Sequence, residues 1–205
     1  MLGRAAIAMW WEIPPAQQAE FEDWHSHEHM PERLAIPGFL RGSRWLAASG
    51  EPSYFVLYEA ARLATIRTGP YLQHLNNPTP WSRKMMPHHR NMVRSLCRVR
   101  ASSGGGLGQF MMTIRFSPGK RRALPDLQRR RGVTGMQLLE SQPMAGSPTT
   151  EQKIRGGDAQ ADWVLLVCGY DVDALKPVAA ELALPGGAAG LYRLAFSMTS
   201  RDLPR

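Results

Sequence analysis

The segment that organises the chain is Trp24-His25-Ser26-His27-Glu28-His29-Met30-Pro31-Glu32-Arg33, followed directly by Leu34-Ala35-Ile36-Pro37-Gly38-Phe39. It holds three histidines, two carboxylates, a tryptophan and an arginine within ten residues. No other segment has this density of groups that titrate or coordinate a metal. We therefore expect any reactive or ligand-binding site of the protein to be built around it.

The segment is predicted to end a helix that follows a buried strand. Residues Ala5 to Ile13 form a short apolar run closed by Pro14-Pro15, which is typical of a buried strand. Proline is tolerated in a first helical turn, and Pro31 disfavours a helical conformation at the residue before it. The helix is therefore predicted from Pro15 to about Met30.

The remaining pattern predicts the same order of elements twice. In the first half it gives strands at Phe39–Ala48, Tyr54–Ala60 and Asn91–Arg100, with a helix at Arg62–Leu75. A glycine-rich linker over 101–108 leads to the second half. There the predictions are strands at Gln109–Phe116, Val133–Ser141, Asp162–Tyr170 and Gly190–Ser200, helices at Lys120–Arg131 and Ala174–Leu184, and a long loop at Gln142–Gln160.

Composition narrows the class of protein. The 205 residues are 43% hydrophobic and 20% charged, which suits one globular domain or two small ones. The net charge is +8, but the basic residues are spread along the chain, and no aromatic-rich basic motif or helix-turn-helix pattern accompanies them. We therefore favour solvated surface arginines over nucleic-acid binding.

Neither the cysteines nor the N-terminus indicates a secreted or membrane protein. Cys97 and Cys168 lie in separate apolar runs, as small core residues do, and do not suggest a disulfide framework. The apolar start Met1–Trp11 is too short to span a membrane and lacks a cleavage pattern. A cytoplasmic location without a membrane partner is expected.

A strand–helix–strand–strand–helix–strand unit is the ferredoxin-like motif. Two such units, together with Trp24, Glu28-His29, Pro31-Glu32-Arg33, Pro37-Gly38-Phe39 and Arg44, resemble the dimeric α/β-barrel superfamily, and are most similar to its uncharacterised EthD-like branch. The resemblance implies an α+β fold of tandem ferredoxin-like (βαββαβ) repeats, residues 1–103 and 104–205, that form an α/β-barrel within one chain. It also implies a pocket between each sheet and its helices or between the sheets, and it allows a homodimer.

The superfamily includes cofactor-independent monooxygenases, lactone isomerases, ring-forming enzymes and haem-handling proteins, so the fold alone does not identify a reaction. The second repeat has only Arg131-Gly132-Val133-Thr134-Gly135 where the first has its dense motif. We therefore expect one site per chain, in the first repeat, with the second repeat mainly completing the barrel.

Acid–base catalysis is one interpretation of the motif. His25, Glu28, His29 and Glu32 share one helix face by spacing, whereas His27 points elsewhere. His29 would act as base or acid, oriented by Glu28 or Glu32, since a carboxylate raises the proton affinity of a histidine beside it. The anchor for an anionic substrate oxygen would be Arg33 or Arg44, and the apolar wall would comprise Trp24, Phe39, Trp45 and Tyr54.

Two other interpretations stay open. His25 and His29, four residues apart, could bind a metal ion or haem from one helix face. Alternatively, Glu28 and Glu32 could pair with Arg33, Arg41 or Arg44 in a purely structural network. A His29 that faces a closed cavity favours the enzyme, and a His29 fully paired without a cavity favours the structural role. Of the remaining aromatic rings, one of Trp10 and Trp11 should face inward, and at most one of His88 and His89 should face a pocket.

The sequence thus predicts a small-molecule-binding protein, and specifically an enzyme that performs proton transfer or cofactor-free oxidation on a small aromatic or apolar metabolite. The catalytic residues are predicted to be His29, Glu28 and Arg44, and the substrate-binding residues Trp24, Arg33, Phe39 and Tyr54. No cofactor and no metal ligand is assigned. The alternative is a non-enzymatic ligand carrier or an interaction domain in which His29 and Glu28 belong to a structural network.

Overall fold

The computed structural model describes residues 1–48, 50, 52–67, 69–117, 127–143, 146–184 and 186–203. The strands are β1 Ala5–Glu12, β2 Phe39–Ala47, β3 Tyr54–Ala60, β4 Arg90–Gly104, β5 Phe110–Phe116, β6 Val133–Ser141, β7 Trp163–Gly169 and β8 Ala188–Thr199. The helices are α1 Gln18–Trp24, α2 Met30–Leu34, α3 Gly69–Asn76, α4 Pro80–Met85, α5 Thr150–Arg155, α6 Val172–Leu175 and α7 Val178–Leu182, with a π-helical segment His25–His29 between α1 and α2.

The strands form a closed barrel in the order β1-β3-β2-β8-β5-β7-β6-β4, and each neighbouring pair is antiparallel. Two long strands close it. The first part of β4 pairs with β1 and its last part with β6, while β8 pairs with both β2 and β5. Closure gives every strand a partner on both sides and leaves no exposed sheet edge.

The predicted fold class, tandem ferredoxin-like (βαββαβ) repeats forming an α/β-barrel, is therefore wrong. The described residues form one closed eight-stranded antiparallel barrel, and the helices among them are few and short. The physical reason lies in β4, which has 15 residues, and β8, which has 12, because both are long enough to hydrogen-bond to strands of the two halves. The boundary predicted after residue 103 falls at the end of β4.

Several local predictions also change. The predicted linker begins inside β4, which continues to Gly104. The predicted loop Gln142–Gln160 contains α5, and the predicted helix Ala174–Leu184 is divided into α6 and α7. Most of the predicted helix Lys120–Arg131 lies outside the described residues, and its described part includes a single 3₁₀ turn, Leu127–Arg129. None of the helices in the described ranges is long and apolar enough to cross a membrane.

Apolar residues fill the barrel and also cover its outer face. Strand β1 is buried on both faces, so Trp10 points into the barrel interior and Trp11 points outward under helices. The interior is packed with apolar side chains that include Trp45, Phe55 and Leu166. Outside, two helical layers lie on the barrel. The first helical layer comprises α1 to α5 with the π-helical segment, and the second comprises α6, α7 and the turn Leu127–Arg129.

Candidate active site

The π-helical segment places two histidines beneath the first helical layer. Met30 N–H donates to the carbonyl of His25, a bond that spans five residues instead of four. Pro31 has no N–H to continue a regular ladder, and such bulges are frequent at functional sites. His25 is 1% exposed and His29 is 8% exposed, whereas His27 is on the exposed face, as the spacing predicts.

The histidines line a small, largely enclosed cavity of about 30 Å³ between the first helical layer and the barrel wall. This volume holds one or two water molecules. Its lining includes Trp11, Trp24, His25, His29, Arg33, Phe39, Tyr58, Tyr71, His89, Arg94, Glu151 and Arg155. Aromatic rings thus surround a small group of histidine, arginine and carboxylate side chains.

Three buried polar atoms of this lining have no hydrogen-bond partner. They are Trp11 Nε1, His29 Nδ1 and Arg33 Nη1. Oε2 of Glu32 lies 3.8 Å from Arg33 Nη1, beyond hydrogen-bonding distance. A buried polar group without a partner costs about 1–3 kcal/mol, so three in one cavity indicate a site that is completed by a ligand or by water.

The cavity keeps its histidines neutral. Burial is the main reason that the pKa of His29 lies well below its usual range, and the positive charge of Arg33 lowers it further. Burial and the charge of Arg44 do the same for His25, and burial lowers the pKa of His89 to about 3. At neutral pH these rings are therefore unprotonated, and each has one nitrogen with a lone pair.

A buried ion-pair network supplies the charge. Burial lowers the pKa of Arg33, but the negative charges of Glu151 and Glu32 together with Tyr71 and Tyr58 outweigh burial, and the pKa is raised. Glu151 pairs with Arg33 through one oxygen, and its other oxygen lies 3.5 Å from Arg155. Arg155 pairs with Asp158 at 2.9 Å. With Arg94, three guanidinium groups and one carboxylate line the cavity itself, which favours an oxygen-rich or anionic ligand.

A second, open pocket of about 650 Å³ adjoins the cavity. The two share His89, Met92 and Arg155 as walls. Its rim contains residues with positive φ, namely Asn91 (52°), Gly156 (86°) and Gly157 (99°). His89 Nδ1 lies 3.2 Å from the carbonyl oxygen of Met86, which can only accept, so Nδ1 carries the hydrogen and the lone pair is on Nε2.

The structure brings four of the predicted site residues to the cavity. Trp24, His29, Arg33 and Phe39 line it, and the rings of Trp24 and His29 are 4.5 Å apart. Trp45, also predicted for the wall, lies inside the barrel.

The other predicted site residues have different partners. Glu28 accepts hydrogen bonds from Trp24 Nε1 (3.2 Å) and Thr79 Oγ1 (2.5 Å), and so connects the helix to the start of α4. Tyr54 donates to a carboxylate oxygen of Glu22 at 3.0 Å. Arg44 lies behind His25, 3.5 Å from its Nδ1. Glu32 lies 2.7 Å from His74.

Sequence reasoning missed Tyr58, Glu151 and Arg155, and considered Trp11 and His89 only as neighbours of a pocket. Glu151 was missed because its helix was predicted as a loop, although Thr149-Thr150-Glu151-Gln152 carries the capping-box pattern that begins many helices. The second half of the chain therefore contributes charged groups to the site as well as completing the barrel.

The metal interpretation finds no support in the donor geometry. In the described part of the chain, no group of three or more histidine, cysteine or carboxylate side chains is arranged to hold a metal ion. The positive charges of Arg33 and Arg44, which lower the pKa of His29 and His25, also disfavour a cation beside these rings.

No protein-family model matches the sequence, and a search of curated proteins finds no relative. Solved structures do share the fold. An anthrone oxidase-like protein is 7% identical, with a TM-score of 0.60 over 97% of this chain and 93% of its own. A proposed monooxygenase of Fusobacterium nucleatum subsp. nucleatum is 8% identical, with a TM-score of 0.53 over 97% and 96%. Another from Lactobacillus acidophilus is 8% identical, with a TM-score of 0.54 over 96% of both chains.

At these identities the likeness establishes a shared barrel fold and nothing about chemistry. The eight-stranded barrel is the part of the predicted resemblance that these structures share.

Proposed function

We propose that the protein is an enzyme that removes a proton from a small aromatic or apolar substrate at His29 and oxidises the resulting carbanion with molecular oxygen, without a cofactor. The observation that carries this proposal is the neutral, buried His29 whose Nδ1 has no partner in a cavity that also presents unpaired N–H groups of Trp11 and Arg33. In a purely structural network, Nδ1 of His29 would have a hydrogen-bond partner and no cavity would lie beside it.

The proton step uses groups that the cavity already holds. Burial and Arg33 keep His29 unprotonated, so a lone pair is available to accept a proton from carbon. The developing negative charge would move onto a substrate oxygen, where Trp11 and Arg33 donate hydrogen bonds in a site shielded from water. The substrate must therefore carry an acidic C–H conjugated to a carbonyl group.

The oxidation balances with oxygen as the only further reactant. The enolate passes one electron to O₂, and the resulting carbon radical and superoxide combine to a peroxide anion on carbon. After protonation, loss of the second hydrogen of that carbon as a proton breaks the O–O bond. A CH₂ group becomes a carbonyl, one oxygen atom enters the product and the other leaves as water. The names of the structural neighbours, anthrone oxidase-like protein and proposed monooxygenases, fit this reaction class.

Substrate access is part of the proposal. The largely enclosed cavity of about 30 Å³ is too small for an aromatic ring. The open pocket shares Met92 as a wall, and a methionine side chain repacks easily. The ring would occupy the open pocket, and displacement of Met92 would join it to the cavity. Membership of the EthD-like branch and a cytoplasmic location remain predictions.

Anthrone, which has an acidic CH₂ opposite a carbonyl, is a suitable probe. Under nitrogen, the protein should accelerate exchange of deuterium from water into this CH₂, and in air it should consume oxygen. The His29→Gln variant should lower both rates about 100-fold or more, which is the range for loss of a general base. His27→Gln, on the exposed face of the same segment, is the matched control and should leave both unchanged.

Exchange without oxygen uptake would restrict the function to proton transfer. Saturable binding with neither activity would assign a ligand carrier instead. Rates that are equal in wild type and His29→Gln would contradict the proposed base.

A further inference from the structure

His25 takes no part in the proposed proton step, yet both of its ring nitrogens have partners. Nδ1 lies 3.5 Å from Nη1 of Arg44, and Nε2 lies 3.4 Å from the hydroxyl oxygen of Tyr58. His25 is fully enclosed, and Tyr58 lines the cavity. The ring therefore joins a buried arginine to a cavity hydroxyl.

Arg44 determines which nitrogen of His25 carries the hydrogen. A guanidinium group has only donors, so the nitrogen facing it must present its lone pair. The two hydrogens of Nη1 point at the carbonyl oxygen of Glu22 and at Ser26 Oγ, each 3.0 Å away, so Arg44 acts on Nδ1 at 3.5 Å mainly through its positive charge. Because burial and Arg44 also keep the ring neutral, its single N–H is on Nε2.

That N–H points at Tyr58 and fixes the direction of the hydroxyl. Nε2 donates to the Tyr58 oxygen, so the hydroxyl hydrogen cannot be directed back at His25. Burial raises the pKa of Tyr58 well above its usual range, so the hydrogen stays on the oxygen. Gly42, opposite Tyr58 on β2, leaves room for the ring, since a Cβ there would lie 2.9 Å from Tyr58 Cε1.

We infer that Arg44 and His25 are positioning residues that turn the Tyr58 hydroxyl into a third hydrogen-bond donor of the cavity. Together with Trp11 Nε1 and Arg33 Nη1, it forms a donor set for a ligand that presents an oxygen acceptor, as an enolate or a peroxide anion does. This inference rests on the proposed function for its substrate class, but the orientation of Tyr58 stands on the geometry of the ligand-free protein. Tyr58 donates a hydrogen bond, and its proton does not leave.

The orientation is tested without any substrate. Nitrogen-15 NMR of the full-length protein labelled at histidine distinguishes a protonated ring nitrogen from one with a lone pair, and His25→Gln identifies the signals of His25. We expect a neutral His25 with its hydrogen on Nε2 in the wild type and a mixture of tautomers in Arg44→Met. A hydrogen on Nδ1 in the wild type, or an unchanged spectrum in Arg44→Met, would overturn the inference.

The chemical role is tested separately with anthrone. Tyr58→Phe keeps the ring and removes the donor, so kcat should fall roughly 100-fold while KM changes little, as for loss of one oxyanion donor. Arg44→Met should also lower kcat, although Tyr58 is still present. If the unfolding midpoint of this variant is unchanged, a merely structural role of Arg44 would not explain the lower kcat. An unchanged kcat in Tyr58→Phe would overturn the donor role. Failure of anthrone as a substrate would count against the proposed function and leave the NMR result decisive for the positioning.

Discussion

The two helical layers that cover the barrel bury different kinds of side chains. In the second layer the buried residues are apolar, among them Leu127, Leu175 and Val178. In the first layer the buried residues include three histidines, Arg33 and Glu151, arranged around a cavity. Burying apolar area stabilises a fold by about 25 cal/mol per Å², whereas unpaired buried polar groups and buried ion pairs do not add to stability. The difference indicates that the polar groups of the first layer bind a ligand and that the second layer stabilises the fold.

The largest effect that separates the layers should come from a comparison of one ion pair from each layer. Arg33 and Glu151 are both 3% exposed, whereas Arg130 and Glu181 of the second layer are 31% and 44% exposed. Glu151→Ala leaves Arg33 charged and buried without its partner, which should lower the free energy of unfolding by about 3–5 kcal/mol. Glu181→Ala removes a solvated pair and should cost less than about 1 kcal/mol. Urea unfolding at pH 7 measures both.

The double variant Arg33→Met/Glu151→Leu sharpens this test. With both charges replaced by apolar side chains of similar size, most of the lost stability should return, since the penalty comes from the isolated charge. The double variant should nevertheless lack oxygen uptake, because Arg33 supplies a donor. Equal losses in Glu151→Ala and Glu181→Ala would contradict the view that the first layer holds a desolvated charge.

A second difference should appear as the pH falls. The pKa of His25, His29 and His89 is lowered in the folded protein, so the unfolded chain binds protons first. Their contribution to stability is complete above the ordinary histidine pKa near 6.5 and is lost as the pH falls towards the folded values, about 3 for His89. Each ring should cost about 1.4 kcal/mol per pH unit in that window, or roughly 4 kcal/mol for the three together.

Urea unfolding between pH 7 and pH 5 tests this slope. In His89→Asn the amide can keep the hydrogen bond to the Met86 carbonyl, and the slope should fall by about one third, which is about 1.4 kcal/mol per pH unit. His27→Asn, which changes an exposed ring of the first layer, should keep the wild-type slope. A slope that stays the same in His89→Asn would mean that His89 is not held neutral.

Some strands and the location of the site could be predicted from the sequence. Strands such as β1 and β3 could be predicted because their apolar runs are bounded by proline or glycine, and the site could be located from the histidine and arginine content of residues 24–33. Those signals are local. The spacing also predicts that His25 and His29 share one helix face, and both are buried.

Barrel closure and the ion-pair network could not be predicted in that way. Closure depends on the pairing of β4 with β6 and of β8 with β5, and the sequence pattern of a strand does not identify the strand it pairs with. Glu151 hydrogen-bonds to Arg33, from which it is separated by 118 residues in sequence. Glu28 accepts a hydrogen bond from Thr79, which lies 51 residues further on, and not from His29. A carboxylate next to a histidine in sequence is therefore a weak guide to its partner in a fold. The capping box before α5 was the one local signal that could have placed Glu151 on a helix.

The smallest effect concerns two helix caps, and it separates stability from function. Thr149 caps α5 in the first layer with a reciprocal bond to Gln152, and Asp171 caps α6 in the second layer through the N–H of Asp173. Thr149→Ala and Asp171→Ala should each lower the free energy of unfolding by about 1 kcal/mol. Only Thr149→Ala should also reduce oxygen uptake, because a frayed α5 releases Glu151 from Arg33 and disturbs the charge beside His29. If both variants reduced uptake equally, the site would depend on the stability of the whole barrel, and the division of labour between the two layers would be wrong.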